Sequence, residues 1–163
     1  MLKELLENSI DAKADSIEVI VRNAGKSLVQ IIDNGEGMTE EDAILSIQRH
    51  ATSKIKTYED LEAIRTFGFR GEALSAIAAV SLMEIKTKTA NDEIGTIIKV
   101  NENTKITLEK GSFPVGTSIA VKNLFYNTPA RRNFLKSNAT ELKHITETFR
   151  KIALSYPNIA FKL

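Results

Sequence analysis

The sequence predicts an α+β domain: one mostly antiparallel sheet with helices on one face. Two observations carry that expectation. Helical periodicity occupies both ends of the chain. Between them, four strand-like runs follow one another across a few turn residues each, the spacing that favours antiparallel pairing. The chain has 163 residues, a single domain's length, and enough to bury a core without disulfide or metal staples.

Taken in order, residues 2–12 have helical spacing, with Leu2, Leu5, Leu6 and Ile10 on one side. SIEVIVRN alternates through Ile17, Val19 and Val21, as a half-buried strand does. Asn23-Ala24-Gly25-Lys26 is then a turn into LVQII, residues 28–32, which is apolar on both faces and is expected to lie centrally. Thr39 is placed to cap the next helix, with Asp42 at its third position. From Arg49 to Arg70 the chain is polar and long, with at most one short helix, and a connection of that length is usually functional or mobile. Gly71 opens a small-residue helix, EALSAIAAV. The four central runs are LMEIKTKT, GTIIKVN, TKITLEKG and TSIAVKNL. Thr128 and Pro129 form an N-cap and first-turn pair for a helix from Ala130 to Lys136. A longer helix covers Thr140 to Leu154, and Pro157 ends it. The domain is thus expected to span 1–157, with 158–163 as the first strand of a missing second domain.

Composition excludes several classes. Hydrophobic content of 42% and charged content of 26% are globular values, so disorder is not expected. A net charge of +1 argues against a uniformly basic coat but leaves room for a local patch. With no cysteine there is no disulfide, thiolate metal site or cysteine nucleophile. Two isolated histidines, His50 and His144, give little support to a zinc site. No run of about 18 apolar residues is present, and MLKELLENS is an amphipathic helix rather than a secretory signal. The expectation is a soluble intracellular domain.

Three stretches carry chemistry. On the first helix Glu4, Asn8 and Asp11 fall in one narrow stripe opposite the leucines. Such a stripe is either a solvated face or an oxygen-rich wall suited to Mg²⁺, which binds few protein oxygens and keeps its waters and phosphates. A carboxylate one turn away could take a proton from attacking water. The second stretch is DNGEGM, residues 33–38, at a strand end. Asp33 there can accept a hydrogen bond from an amine such as adenine N6, and Gly37 would admit a flat ring close to the backbone; otherwise the loop needs only positive φ. The third, GFRGEAL, residues 68–74, puts glycine before a helix, where free N–H groups and the dipole favour phosphate. Ala51 to Lys54 adds hydroxyls and a cation. Neither loop is a Walker or dinucleotide fingerprint.

Together KELLENSIDA, DNGEGM, RHATSKI, GFRGEALSAIA, PVGTSIAV and LFYNTPARRNFL resemble the N-terminal ATPase region of the MutL family of DNA mismatch-repair proteins. That family is a branch of the GHKL group, with the gyrase, Hsp90 and histidine-kinase ATP-binding domains. The match runs through essentially the whole chain in order. GFRGEAL and FYNTPAR are specific to the mismatch-repair branch. The resemblance implies a GHKL (Bergerat) two-layer α/β sandwich, ATP and Mg²⁺ as cofactors, and slow ATP hydrolysis that drives dimerisation and lid closure. Carried onto this sequence, Glu4 looks like the general base and Asn8 the Mg²⁺ ligand. Asp33 matches the adenine-reading aspartate, Gly37 the glycine beside the ring, and Thr117 the hydroxyl behind it. Thr52 and Ser53 lie in the lid, which would span residues 49–70. Gly68, Phe69, Arg70, Gly71, Glu72, Ala73 and Leu74 match the loop around the triphosphate.

The resemblance further implies partners: non-specific DNA, mismatch-recognition and downstream repair proteins, and an identical or related chain as dimer partner. Arg131, Arg132, Lys136, Lys143, Arg150 and Lys151 could form the DNA-facing basic surface. It implies a cytoplasmic, nucleoid-associated location if the source is bacterial, and a nuclear one if eukaryotic. Family members carry an A-G-E-x-x-x-R-P-like stretch before the first helix and a second domain that supplies a lysine to the γ-phosphate. The chain is therefore read as a fragment, with weakened nucleotide affinity, little turnover and poor dimerisation expected. Lys13 stands where the family often has glycine, a change expected to be harmless. The rival readings are a nucleotide-gated interaction module without meaningful catalysis, a histidine-kinase domain, and a purely structural domain. Glu4 and the mismatch-repair motifs oppose the second. A nuclease has no basis in these residues.

Overall fold

The computed structural model describes residues 1–48, 73–102 and 105–163. Helix α1 (Leu2–Asp11) forms on the leucine stripe read from the sequence; Leu5 and Leu6 are fully buried, each worth about 1.5–3 kcal/mol of apolar transfer. It ends at Ala12, whose N–H donates to the Asn8 carbonyl. Lys13 then takes a left-handed φ of 59° and pairs with Glu36. That conformation explains a glycine preference at the position, so the lysine is not neutral: the backbone is strained there, and the exposed ion pair offsets only part of it.

Strand β1 (Ser16–Arg22) turns through a 3₁₀ segment, Asn23–Gly25, into β2 (Leu28–Asp33). Helix α2 (Glu40–Ile47) starts at Thr39, whose hydroxyl oxygen accepts from the Asp42 N–H at 3.2 Å, the cap the sequence predicts. Helix α3 (Ala73–Ala78), β3 (Leu82–Lys88), β4 (Gly95–Val100), β5 (Ile106–Gly111) and β6 (Gly116–Lys122) follow. Helix α4 (Pro129–Asn133) is shorter than expected, because Ser137 caps a new helix. That helix, α5, runs Asn138–Ser155, and the Ser137 hydroxyl accepts from the Thr140 N–H at 3.3 Å. Strand β7 (Ala160–Lys162) completes the chain.

The described strands form one sheet in the order β5-β4-β3-β6-β2-β1-β7. Every pairing is antiparallel except β1 with β7. Two differences from the sequence reading stand out. Strand β6 does not pair with β5 but inserts between β3 and β2; Ala120 is buried on its second face, whereas β5 keeps Ile106 and Leu108 exposed at the edge. Residues 160–162, expected to open a second domain, instead pair with the outer edge of β1. Phe161 there meets Phe149 of α5 edge-to-face at 5.9 Å, a contact that favours holding the strand in this sheet.

Register decides where the core ends. On the helix-covered face Val100, Met83, Val121, Val29 and Val21 align across five strands, and Ile98, Ile85, Ile119, Ile31 and Val19 form the next row. The row after that is Thr96, Thr87, Thr117, Asp33 and Ile17. Two apolar rows thus give way to three hydroxyls and a carboxylate at one end. The opposite face is polar, with Lys99 on Glu109 at 2.7 Å and Glu84 between Lys86 and Lys122 at 3.3 Å each.

Candidate nucleotide site

The polar row closes against α1. Asp33 is the last residue of β2, and its Oδ2 accepts the Ser9 hydroxyl at 2.7 Å. Oδ1 accepts the Gly35 N–H at 3.0 Å, an Asx turn that starts the DNGEGM loop, and the Thr117 N–H at 3.2 Å from β6. Burial pushes the Asp33 carboxyl above its ordinary range, against the pull of the donors from Ser9, Gly35 and Thr117. Three donors converging on one carboxylate is the environment of an ionised acceptor, and about four lone-pair sites are available on it. One acceptor site on Oδ2 remains for a further donor.

The rest of the loop is tied to its neighbours. The Asn34 amide oxygen accepts from the Asp15 and Ser16 N–H groups, at 3.1 and 2.9 Å, and the Glu36 N–H donates to the Ala12 carbonyl at 2.8 Å. Gly37 has a φ of 72°, and a side chain there would collide with the Lys88 carbonyl. Its need for glycine therefore comes from packing against β3 as well as from any ligand. Behind the loop the Met38 N–H donates to the Thr87 hydroxyl at 2.8 Å, and Thr87 Oγ1 lies 3.1 Å from Thr117 Oγ1.

Of the residues singled out in the sequence, Asp33, Gly37 and Thr117 are thus brought together. Glu4 and Asn8 lie half-buried one turn apart on α1, the helix that reaches Asp33 through Ser9. Glu7, beside them, is 8% exposed and pairs with Lys3 at 3.5 Å. Ala73 and Leu74 begin α3; the Leu74 side chain is in the core, leaving only its backbone for phosphate. Thr52, Ser53, Gly68, Phe69, Arg70, Gly71 and Glu72, and the lid assigned to 49–70, lie outside the described residues. Arg131, Arg132, Lys136, Lys143, Arg150 and Lys151 are all exposed, but Lys143 faces Glu147 at 3.9 Å, so the patch is not purely basic.

Two contributors escaped the sequence reading, Ser9 and Thr87. A signal existed for each. Ser9 is a hydroxyl on the leucine side of α1, and Thr87 continues the inward alternation of Met83 and Ile85. A cavity of about 260 Å³ lies elsewhere, between the start of α1, Gly25 and Ile145 of α5. Of its polar neighbours, Lys26 is committed to the Lys136 carbonyl and Glu141 to the Lys136 N–H.

A part-buried carboxylate at a strand end, backed by hydroxyls and joined through Ser9 to the helix that carries Glu4 and Asn8, fits a nucleotide-binding sandwich of the GHKL class. Residues 1–119 match the family model described as "Histidine kinase-, DNA gyrase B-, and HSP90-like ATPase", and the chain belongs to that family. Within it the chain is similar to MutL proteins along its whole length. It is 56% identical over 163 residues to the DNA mismatch repair protein MutL of Christiangramia forsetii, covering 100% of this chain and 26% of that one. Against MutL of Chlorobaculum tepidum the identity is 54%, with coverage of 100% and 26%. The chain thus spans about a quarter of the length of these relatives. Among solved structures it resembles the Aquifex aeolicus MutL ATPase domain complexed with ADP, with a TM-score of 0.75 and 33% identity over 98% of this chain and 55% of that one. A structure described as the N-terminal domain of a DNA repair protein aligns with a TM-score of 0.79 at 29% identity, over 98% of this chain and 45% of that one.

Proposed function

We propose that the chain binds ATP at the Asp33 end of the sheet and, within the longer protein, hydrolyses it slowly to drive dimerisation and lid closure in DNA mismatch repair. The observation that carries this reading is the Asp33 carboxylate, held by Ser9, Gly35 and Thr117 with acceptor capacity left over. An acceptor fixed where the apolar rows of the sheet end suits the exocyclic amine of adenine, and the neighbouring hydroxyl of Thr117 adds a second polar handle. Occupancy of the related Aquifex domain by ADP supports the same ligand class.

Asn8 supplies an amide oxygen on the wall of the site. No group of three His, Asp or Glu able to hold a metal occurs among the described residues. Asn8 would hold Mg²⁺ as a protein oxygen alongside the phosphates; when bound, the ion would supply charge neutralisation for phosphoryl transfer. Glu4, one turn before Asn8, takes the role of holding and deprotonating the attacking water. Chemistry of this kind depends mostly on positioning, so slow turnover suits a switch. Non-specific DNA, mismatch-recognition and downstream repair proteins, and a second related chain remain the proposed partners, with the exposed arginines of α4 as the DNA-facing candidates.

Calorimetric titration with ADP, with and without Mg²⁺, and with GDP as control, tests the reading. Binding of ADP in preference to GDP, tightened by Mg²⁺, supports it; equal or absent binding of both nucleotides overturns it.

A further inference from the structure

Asn34–Gly35 is the chain's one Asn–Gly pair, and the fold holds each residue for a separate reason. Asn34 laces the DNGEGM loop to the turn before β1. Its Oδ1 accepts the Asp15 and Ser16 N–H groups at 3.1 and 2.9 Å, and its Nδ2 donates to Asp15 Oδ1 at 2.6 Å. A side-chain amide supplies both an acceptor and a donor for this. Gly35 is buried, and a side chain there would strike the Ala12 carbonyl. That pair has a chemistry of its own, because glycine has no side chain to shield its nitrogen. Once hydroxide has taken the Gly35 N–H proton, the nitrogen attacks Asn34 Cγ. The Cγ–Nδ2 bond breaks, and the amide nitrogen takes a proton from water and leaves as ammonia. Water then opens the resulting succinimide. Cleavage of the new N–Cγ bond leaves aspartate at position 34; cleavage at the main-chain carbonyl leaves isoaspartate, with the backbone running through the former side chain. One water is consumed and one ammonia released, and nothing is oxidised.

In the structure both reacting groups are occupied. The Gly35 N–H donates to Asp33 Oδ1 at 3.0 Å, and the Asn34 amide is held against Asp15 and Ser16. Asn34 is nonetheless exposed, so water and hydroxide reach it. The reaction therefore waits on local opening of the loop. Its products do not fit the closed loop. In aspartate, the atom that donated to Asp15 Oδ1 becomes a carboxylate oxygen facing another carboxylate. Isoaspartate adds a main-chain carbon between Asp33 and Gly35, which draws the Gly35 N–H away from Asp33. We propose that Asn34–Gly35 is a self-modification site in the nucleotide loop: the closed loop suppresses its deamidation, opening permits it, and the converted loop no longer holds Asp33 for a ligand. The consequence for the ligand rests on the adenine-nucleotide reading above; the modification itself does not.

The experiment ages the chain at mildly alkaline pH and follows aspartate and isoaspartate at position 34 by peptide mapping. The folded chain is expected to convert at least about tenfold more slowly than the chain in urea, since opening breaks several hydrogen bonds at once; equal rates overturn the proposal. Asp15→Ala removes the acceptor of the Asn34 amide and should speed conversion of the folded chain about three- to tenfold, the value of one hydrogen bond. An unchanged rate shows that the lacing does not control the reaction and overturns the proposal. ADP with Mg²⁺ at about ten times its dissociation constant should slow conversion about tenfold; binding seen by calorimetry without slowing overturns control by the nucleotide loop. Asn34→Asp, the sequence of one product, should bind ADP about three- to tenfold more weakly, and equal affinity overturns the claimed consequence. A wild-type chain that binds no ADP overturns the nucleotide reading, and the urea and Asp15→Ala rates then decide the modification site on their own.

Discussion

Replacing Ser9 by alanine isolates the contact that joins α1 to the site. The serine is 3% exposed and its hydroxyl donates to Asp33 Oδ2 at 2.7 Å. Its second approach, to the Leu5 carbonyl at 3.4 Å, is weak. Deletion removes a hydrogen bond to a charged, mostly buried group, worth about 1.5–3 kcal/mol, while alanine returns about half a kcal/mol of helix propensity. The net loss at neutral pH is therefore about 1–2.5 kcal/mol. Acidity supplies an internal control. Burial raises the native Asp33 pKa above its ordinary value of 3.8, with the Ser9 donor opposing the rise. An acid with a raised native pKa contributes stability in its protonated form, fully present below the unfolded pKa and lost as pH rises through the native one. Removing Ser9 takes away a donor that favours the ionised form, so the native pKa climbs further. The stability gap between Ser9→Ala and wild type is then full at neutral pH and closes on acidification, once Asp33 is protonated in both. Urea unfolding at neutral pH and near pH 4 measures this. A gap under about 0.5 kcal/mol at neutral pH, or one that widens in acid, would refute the reasoning.

Gly116→Ala should lower stability by about 1–3 kcal/mol or more, read as a drop in Tm, because Gly116 has a φ of 129° and a side chain there would strike the Asp33 carbonyl; an unchanged Tm would contradict the packing described. In a longer chain that turns over ATP, Glu4→Ala should leave ADP affinity within about twofold while cutting turnover at least about a hundredfold, and loss of both together would remove Glu4 from the chemistry. Arg131→Glu with Arg132→Glu should weaken DNA binding for all sequences alike and flatten the logarithmic salt dependence by about two; DNA affinity that ignores salt would exclude these arginines as phosphate contacts.

Much of this arrangement was legible because it is local. The leucine spacing of α1, the Thr39 cap and the strand-end position of Asp33 each depend on neighbours a few residues away. The branch-specific motifs then pointed to a family that the comparisons bear out. What escaped depends on register between distant strands. Nothing near Thr87 says that it aligns with Thr117 and, beyond it, Asp33. The insertion of β6 between β2 and β3 is a non-local choice, decided by Ala120 being buried on the face where β5 is charged. The pairing of residues 160–162 was not legible for the same reason, since only the edge of β1 shows where that strand goes. Lys13 teaches the converse: a departure from a family glycine carried conformational information, a left-handed φ.

The central claim is a location, and amide chemical shifts report location directly. In a ¹⁵N-labelled chain titrated with ADP and Mg²⁺, the amides of Ser9, Gly35, Met38 and Thr117 should shift together and saturate with a common dissociation constant. The amides of Lys26, His144 and Ile145, around the cavity between α1 and α5, should stay still. Shifts concentrated at that cavity, with Gly35 and Thr117 unmoved, would contradict the account.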